Sequence, residues 1–226
     1  PLLGPGGKPV RIEMFAHGAL CMAVSGKCYL SLHETARSAN RGACRQICRR
    51  AYRVADRDTG EELVVDNAYI MSPKDLCTID ILDRMIAAGV SVLKIEGRAR
   101  SAEYVKRVCE CYDEALRAIE AGAYTPEKVA QWKTRLGEVF NRGFWNGYYL
   151  GRRLGEWTDS YGSSATRRKV YAGKVTNYFS NLGVAEISVE AAPVRRGDDL
   201  LIIGETTGVL KLTADEIRVD LKPVEE

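Results

Sequence analysis

Four cysteines stand close together in the first part of the sequence. Cys21 and Cys28 are seven residues apart, and Cys44 and Cys48 are four apart, a spacing that puts both sulfurs on one face if a helical turn begins there. An iron-sulfur cluster requires three or four thiolates on a backbone that can wrap around it, and glycines occur in both loops. The pattern predicts a thiolate-bound centre, and a [4Fe-4S] cluster is the form we expect.

Other interpretations of the cysteines stay open at the level of the sequence. Four thiolates also suit tetrahedral zinc, although zinc sites generally use pairs two to four residues apart, and only the second pair has that spacing. The thiols could also be ordinary buried side chains. Cys77 is a further candidate metal ligand, because it lies near the first turn of a predicted helix, where the helix dipole favours a thiolate. Cys109 and Cys111 lie within another predicted helix and are interpreted as structural.

Four other side chains are candidates for catalysis. His17 follows a predicted strand that carries Glu13, so it is placed either to transfer a proton at the mouth of a site bordered by the cysteines or to satisfy backbone groups in the loop. Glu96 and Arg98 follow the predicted strand 90–95, at the end where α/β barrels carry their reactive groups. The alternative is that Glu96 and Arg98 form a structural ion network with Lys94.

The residues required for peptidase chemistry are not evident. The chain has two histidines, His17 and His33, and neither belongs to the H-E-x-x-H helix of a zinc peptidase. No nucleophile with a neighbouring histidine base is recognisable. A hydrolase that uses a divalent metal or Cys77 is therefore the second hypothesis, and a structural metal module that docks RNA or protein without catalysis is the third.

Local positive charge and aromatic side chains indicate RNA as a partner. Six arginines occur in residues 37–53, and residues 142–169 interleave arginines with aromatic side chains. Phosphates attract such charges, and unpaired bases stack on such rings. Because the net charge of the whole chain is only +3, RNA binding would depend on these local segments.

The first part of the chain predicts strand and helix units of an α/β fold. We expect strands at residues 11–15, 51–54, 63–65 and 90–95, and helices that begin at Ser72, Ser101 and Thr125. The short connections favour units like those of a TIM barrel, and the visible units are too few to close a barrel alone.

The last part of the chain predicts a separate domain of strands. Evenly spaced candidates occur at residues 170–175, 184–189, 199–203, 208–212 and 216–221. This pattern favours a small antiparallel β-barrel. We therefore expect an α/β domain over residues 1–150, a linker over 151–169 and a barrel over 170–226.

The composition predicts a soluble protein of the cytoplasm. Hydrophobic residues make up 46% of the chain, enough for a substantial core, and no run approaches the roughly 18 consecutive apolar residues of a membrane-spanning helix. The first residues lack the pattern of a signal peptide. Seven cysteines are an odd number, and their crowding argues against a secreted disulfide scaffold.

Several blocks of this sequence resemble the peptidase U32 family. They are residues 13–21 (EMFAHGALC), 26–31 (GKCYLS), 40–49 (NRGACRQICR), 72–77 (SPKDLC) and 94–98 (KIEGR). The resemblance covers roughly residues 11–150, and the strand-rich tail is similar to the translation-factor-like barrel that some members carry. It implies that a first half of the α/β domain, which would complete a barrel-like structure, is missing from this sequence.

The same resemblance implies two different activities. The family carries a historical label of collagenase-like peptidase, whereas better-understood members resemble oxygen-independent hydroxylation factors that use an iron-sulfur cluster on a tRNA wobble uridine, ribosomal RNA or a quinone precursor. Residues 141–148 and the terminal barrel look closest to the tRNA-acting branch. The resemblance implies Cys21, Cys28 and Cys44 as cluster ligands, and it leaves the fourth ligand between Cys48 and Cys77.

Overall fold

The computed structural model contains two compact units, Pro1–Thr166 and Arg167–Glu226. It describes residues 3–23, 28–62, 69–151 and 155–226. The strand predicted at residues 63–65 lies outside the described residues. Described residues of the predicted linker, up to residue 166, belong to the first unit, where Trp157 pairs with Pro73 in an isolated β-bridge.

A four-stranded mixed sheet forms the centre of the first unit. In the order β3-β1-β2-β4, its strands are β1 (Ile12–Gly18), β2 (Asp75–Cys77), β3 (Val90–Ile95) and β4 (Phe144–Trp145). β1 runs parallel to β3 and antiparallel to β2, and β2 runs parallel to β4. The strands expected at residues 11–15 and 90–95 are therefore confirmed, the second as the parallel strand that its apolar run indicated.

The helices of the first unit differ in how well the sequence predicted them. They are α1 (Leu30–Thr35), α2 (Leu82–Ala87), α3 (Ala102–Glu120) and α4 (Pro126–Gly137). The starts expected for α3 and α4 are confirmed, and the Thr125 hydroxyl caps α4 by accepting the Lys128 amide at 3.4 Å. Among the described residues, no helix combines the length and the apolar character needed to cross a membrane.

The helix predicted to begin at Ser72 is wrong. Residues 75–77 form strand β2, and the helix that follows begins only at Leu82. β2 is paired on both sides, by β1 and by β4 from distant parts of the sequence. These tertiary contacts override a local capping pattern, which is only a weak determinant of structure. Residues 51–54 also form no strand, and Ala55 makes an isolated bridge with Glu62.

The core of the first unit joins the sheet to the two long helices. Ala16 and Cys77 from the sheet pack in one buried cluster with Val108 of α3 and Leu136 of α4. The cluster also includes Tyr104 and Tyr112, whose rings lie against His17, so the end of β1 lies inside the protein. This burial determines the environment of the candidate residues that follow.

The second unit consists of three antiparallel strand pairs. The pairs are β5 (Gly173–Phe179) with β6 (Val184–Val189), β7 (Asp199–Gly204) with β8 (Gly208–Thr213), and β9 (Ile217–Val219) with β10 (Lys222–Val224). The predicted strands are thus largely present, although β9 is shorter than the last candidate and β10 was not predicted. No ladder among the described residues joins one pair to another, so the predicted closed barrel is not confirmed.

Candidate functional site

The four clustered cysteines lie in the segments between β1 and β2. Cys21 follows β1, Cys28 precedes α1, and Cys48 lies in a short 3₁₀ turn formed by Ile47–Arg49. Cys44 and Cys48 do not share the helical turn that their spacing suggested, because Gln46 between them has a left-handed backbone with φ of 53°. All four thiols are free, and Cys21 is the exposed one.

The charges of the other three thiols affect the pKa of Cys48. Burial raises the pKa of Cys48, the Arg49 guanidinium lowers it, and the thiolate charges of Cys21, Cys44 and Cys28 each raise it further. Charges shift a pKa in this way only from nearby. In the part of the chain that the structure describes, however, no three cysteine, histidine or carboxylate side chains have the arrangement of a closed metal site.

Arg49 connects the two cysteine-bearing segments to the sheet. Its guanidinium donates to the backbone carbonyls of Leu20 and Pro73 and, at 3.2 Å, to the hydroxyl of Ser72. Leu20 precedes Cys21, and Arg49 follows Cys48, so this one side chain joins the two cysteine-bearing segments. Charge-assisted hydrogen bonds of this kind are among the stronger polar contacts in proteins.

The chemistry of the donor set fits a thiolate-bound metal centre. Four thiolates are the ligands of iron-sulfur clusters and of structural zinc, whereas calcium and magnesium prefer oxygen. The sulfur of Cys44 accepts the Gln46 amide at 3.4 Å, and hydrogen bonds to sulfur are one means by which proteins tune a cluster. An iron-sulfur cluster therefore fits these residues, and zinc fits them as the alternative.

Cys77 lies in the core, in a different environment from the one its sequence position suggested. It belongs to strand β2 and stands opposite His17 in the β1–β2 pairing. Because the predicted helix start is absent, the expected lowering of its pKa is wrong: burial raises the pKa of the thiol to about 11. A role for Cys77 as a metal ligand stays a prediction.

His17 is buried beneath the end of the sheet, whereas its sequence position suggested the mouth of a site. Its side chain is 1% exposed and lies among the rings of Tyr104, Tyr112 and Phe144. Its Nδ1 is 3.4 Å from the Tyr112 hydroxyl, which donates to the Ala16 carbonyl at 2.8 Å. Burial, aided by the positive charge of Arg100, lowers the pKa of His17 to about 3, so the imidazole is neutral at physiological pH.

This burial predicts a specific acid sensitivity. Between the ordinary pKa of 6.5 and the folded value of about 3, the unfolded chain binds a proton that the folded chain does not, so the free energy of unfolding falls as the pH falls. Between pH 7 and pH 4, we expect the free energy of unfolding of the native protein to fall by roughly 3 kcal/mol more than that of His17→Asn, whose asparagine cannot titrate. Urea unfolding at several pH values measures this difference. His33→Asn, at an exposed position, is the control, and parallel pH profiles for His17→Asn and the native protein would contradict the prediction.

The other three catalytic candidates occupy separate positions. Glu13 is exposed on β1 and forms an ion pair with Lys94 at 3.8 Å, about 13 Å along the strand from His17. Glu96 follows β3, and its carboxylate accepts the Arg98 amide at 2.8 Å, which closes a local turn. Gly18 permits the close approach of this turn, because a Cβ there would lie 2.6 Å from the Glu96 carbonyl oxygen. The catalytic roles of Glu13, Glu96 and Arg98 stay predictions.

A buried charge group near the cysteines was missed by the sequence analysis. Asp75 of β2 is buried, and its carboxylate lies 3.7 Å from Arg100 and 3.7 Å from Arg142, whose side chains are 4% and 7% exposed. Burial raises the pKa of Asp75, and Arg142, Arg100 and Arg49 oppose that shift. Burial and the neighbouring positive charge of Arg49 lower the pKa of Arg142 to about 10, so it stays charged at neutral pH. In the sequence, Asp75 directly follows Lys74 and lies five residues before Asp80, and no local pattern there predicts its burial.

These features define an α/β unit with a cysteine-rich segment and a buried arginine group beside it. Residues 7–159 match the model of peptidase family U32, and the chain therefore belongs to that family. The resemblance seen in the sequence blocks is thus confirmed.

Characterised relatives of the chain carry two kinds of name. A "Collagenase" of Porphyromonas gingivalis is 61% identical over 225 residues, which cover 100% of this chain and 54% of the relative. "tRNA hydroxylation protein P1" of Bacillus subtilis is 33% identical over 203 residues, covering 86% of this chain and 47% of the relative. "23S rRNA 5-hydroxycytidine C2501 synthase" of Escherichia coli is 46% identical over 108 residues, covering 48% of this chain and 16% of the relative. The chain spans about half the length of the first two, and no solved structure matches it.

Proposed function

We propose that the protein containing this chain is an iron-sulfur-dependent RNA hydroxylation enzyme in which Cys21, Cys28, Cys44 and Cys48 bind the cluster. The observation that carries this proposal is that the guanidinium of Arg49, next to Cys48, donates to the carbonyl of Leu20, next to Cys21, so that two cysteine-bearing segments lie together. Thiols from separate loop segments that face one region are what a thiolate-bound cluster requires. A [4Fe-4S] cluster is the form that we propose.

The residues around the thiols have defined parts in this proposal. Bound there, the cluster would supply one-electron chemistry, while the protein supplies position and electrostatics. Arg49 holds the Cys21 and Cys48 segments together through the Leu20 carbonyl. Arg49 and Arg142 also place positive charge near Cys48, which opposes the rise in its pKa that burial causes.

RNA as the substrate is supported by relatives and by surface charge. Two of the relatives are named for hydroxylation of tRNA or ribosomal RNA. Arg45 and Arg50 are exposed and flank the Cys44 and Cys48 positions, where they could contact phosphates. A tRNA wobble uridine is the target that we propose, and action on tRNA would place the protein in the cytoplasm.

Two measurements on the intact protein test this function. Protein purified without air is expected to contain iron and inorganic sulfide and to absorb visible light, because thiolate-to-iron charge transfer gives clusters their colour. RNA from cells that lack the gene is expected to lose a hydroxylated pyrimidine nucleoside, as measured by mass spectrometry. Zinc in place of iron would refute the cluster. Unchanged nucleosides with metal present would instead favour the structural docking module.

A peptidase is the second candidate, because a relative at 61% identity is named a collagenase. The geometry gives this candidate little chemical support. A cysteine peptidase activates its thiol as a thiolate beside a histidine base, whereas burial raises the pKa of Cys77 to about 11 and lowers that of His17 to about 3. Collagen cleavage by the pure protein that is abolished by chelation or by Cys77→Ala would favour the peptidase and count against our first proposal.

A further inference from the structure

An arginine-lined pocket adjoins the cysteine segment of the first unit. It has a volume of about 580 Å³, within the range of small-ligand sites. Its charged and sulfur-bearing lining residues are Arg45, Arg49, Arg50, Arg100, Arg142 and Cys44. No carboxylate is among the described residues that line it, so its surface is strongly positive.

Among the described residues, one carboxylate faces the two guanidinium groups behind this pocket. Asp75 is the carboxylate that approaches Arg100 and Arg142, and both ion pairs are 3.7 Å long, too long for hydrogen bonds. Among the described residues, Nε and Nη2 of Arg100 and Nη1 of Arg142 find no hydrogen-bond partner of normal geometry. Buried guanidinium groups without full compensation are costly, so the site favours an added anion.

Aromatic side chains give the pocket a second kind of recognition. The ring of Phe140 lies beneath the guanidinium of Arg100, 4.1 Å from its central carbon, and 5.0 Å from that of Arg142. These contacts hold both arginines in place from below. Tyr161 also lines the pocket and is 78% exposed, so one face of its ring is available for a flat ligand. Exposed aromatic rings beside positive charge are typical of sites for unpaired nucleotides.

We infer that this pocket binds one unpaired pyrimidine nucleotide, with its phosphate on the arginines and its base against Tyr161. The inference rests on the proposed function for the choice of RNA as the source of the nucleotide and of a pyrimidine as its base. Arg45 and Arg50, which are exposed, meet the phosphate first, and Arg100 and Arg142 supply the charge beneath it. Because Cys44 is also part of the lining, the bound nucleotide lies beside the thiol group.

Nucleotide binding to the intact, cluster-loaded protein tests this assignment. By calorimetry we expect UMP and CMP to bind about tenfold or more tightly than uridine and cytidine, because only the nucleotides carry the phosphate. Arg45→Gln and Arg50→Gln should each weaken UMP binding by about fivefold, and Tyr161→Ala by roughly five- to hundredfold. Arg53→Gln is the matched control, since Arg53 is exposed, lies in the same segment and is not among the lining residues.

Several results would overturn the inference. Equal affinity for nucleotides and nucleosides would show that the phosphate does not contribute to binding. Malonate bound as tightly as UMP would show that the pocket binds anions in general and does not recognise a nucleotide. Binding of UMP only to cluster-free protein would show that UMP occupies the place of the cluster and has no site of its own beside it. Unchanged binding in all three pocket variants would place the nucleotide elsewhere.

The outcomes also separate this inference from the proposed function. If deletion of the gene removes the hydroxylated nucleoside, but the arginine substitutions leave UMP affinity unchanged, the pocket assignment fails and the proposed function stands. If UMP binding depends on the arginines and on Tyr161 while cellular RNA is unchanged, the pocket stands and the proposed hydroxylation fails.

Discussion

Alanine in place of Cys48 is expected to lower the iron bound by anaerobically purified protein by about tenfold or more. Loss of residues that merely support a metal ligand commonly costs 10–100-fold in affinity, so the loss of a ligand should cost at least as much. Cys77→Ala, by contrast, should keep its iron, because Cys77 is buried in the core beside His17. Its cost should be on the order of 1 kcal/mol of stability, from a small cavity.

Three measurements on the same samples make this comparison decisive. Iron and sulfide content report the cluster, visible absorption reports its integrity, and urea unfolding reports the fold. Cys109→Ala is the control, since Cys109 is exposed on α3 and should change none of them. Retention of iron by Cys48→Ala together with its loss from Cys77→Ala would reverse the ligand assignment.

Neutralising Asp75 is expected to destabilise the first unit by about 3–5 kcal/mol, the range for removing one partner of a buried ion pair. Asp75→Asn keeps the shape of the side chain and removes the carboxylate that faces Arg100 and Arg142. Two buried guanidinium groups would then stand without their counter-charge. Urea unfolding of the variant measures the loss.

Two further variants test whether the loss of stability in Asp75→Asn comes from the missing charge. Asp113→Asn removes an exposed ion pair with Arg117 on α3, and such pairs contribute less than about 1 kcal/mol. Adding Arg142→Met to Asp75→Asn removes part of the excess charge and should recover part of the stability, as a double-mutant cycle would show. A loss no larger than that of Asp113→Asn would mean that the buried charges are not coupled.

Elements with strong local signals were predictable from the sequence. Strand 90–95 is a compact apolar run, and α4 begins at a Thr-Pro pair whose threonine caps the helix. In each case neighbouring residues alone favour the structure, through burial of a continuous run or through a satisfied amide at a helix start. The close set of four cysteines was recognisable for the same reason, since its members lie within 28 residues of one another.

Elements that depend on distant partners were not predictable in this way. Residues 72–77 carry the signature of a helix start, and they form a strand because β1 and β4 supply hydrogen bonds from about 60 and 70 residues away. The environments of Cys77 and His17 also differ from those expected, because both side chains are buried. Burial raises the pKa of the Cys77 thiol and lowers that of His17, and both shifts make the groups less reactive.

The sequence by itself determined the family, the long helices, most strands of the second unit and the thiols available for a metal centre. Only the tertiary structure decided that Asp75, Arg100 and Arg142 meet, and that their excess positive charge lies beside the Cys44 segment. The physical reason is that propensity and spacing act between neighbours in the chain, whereas burial and electrostatics act between neighbours in space.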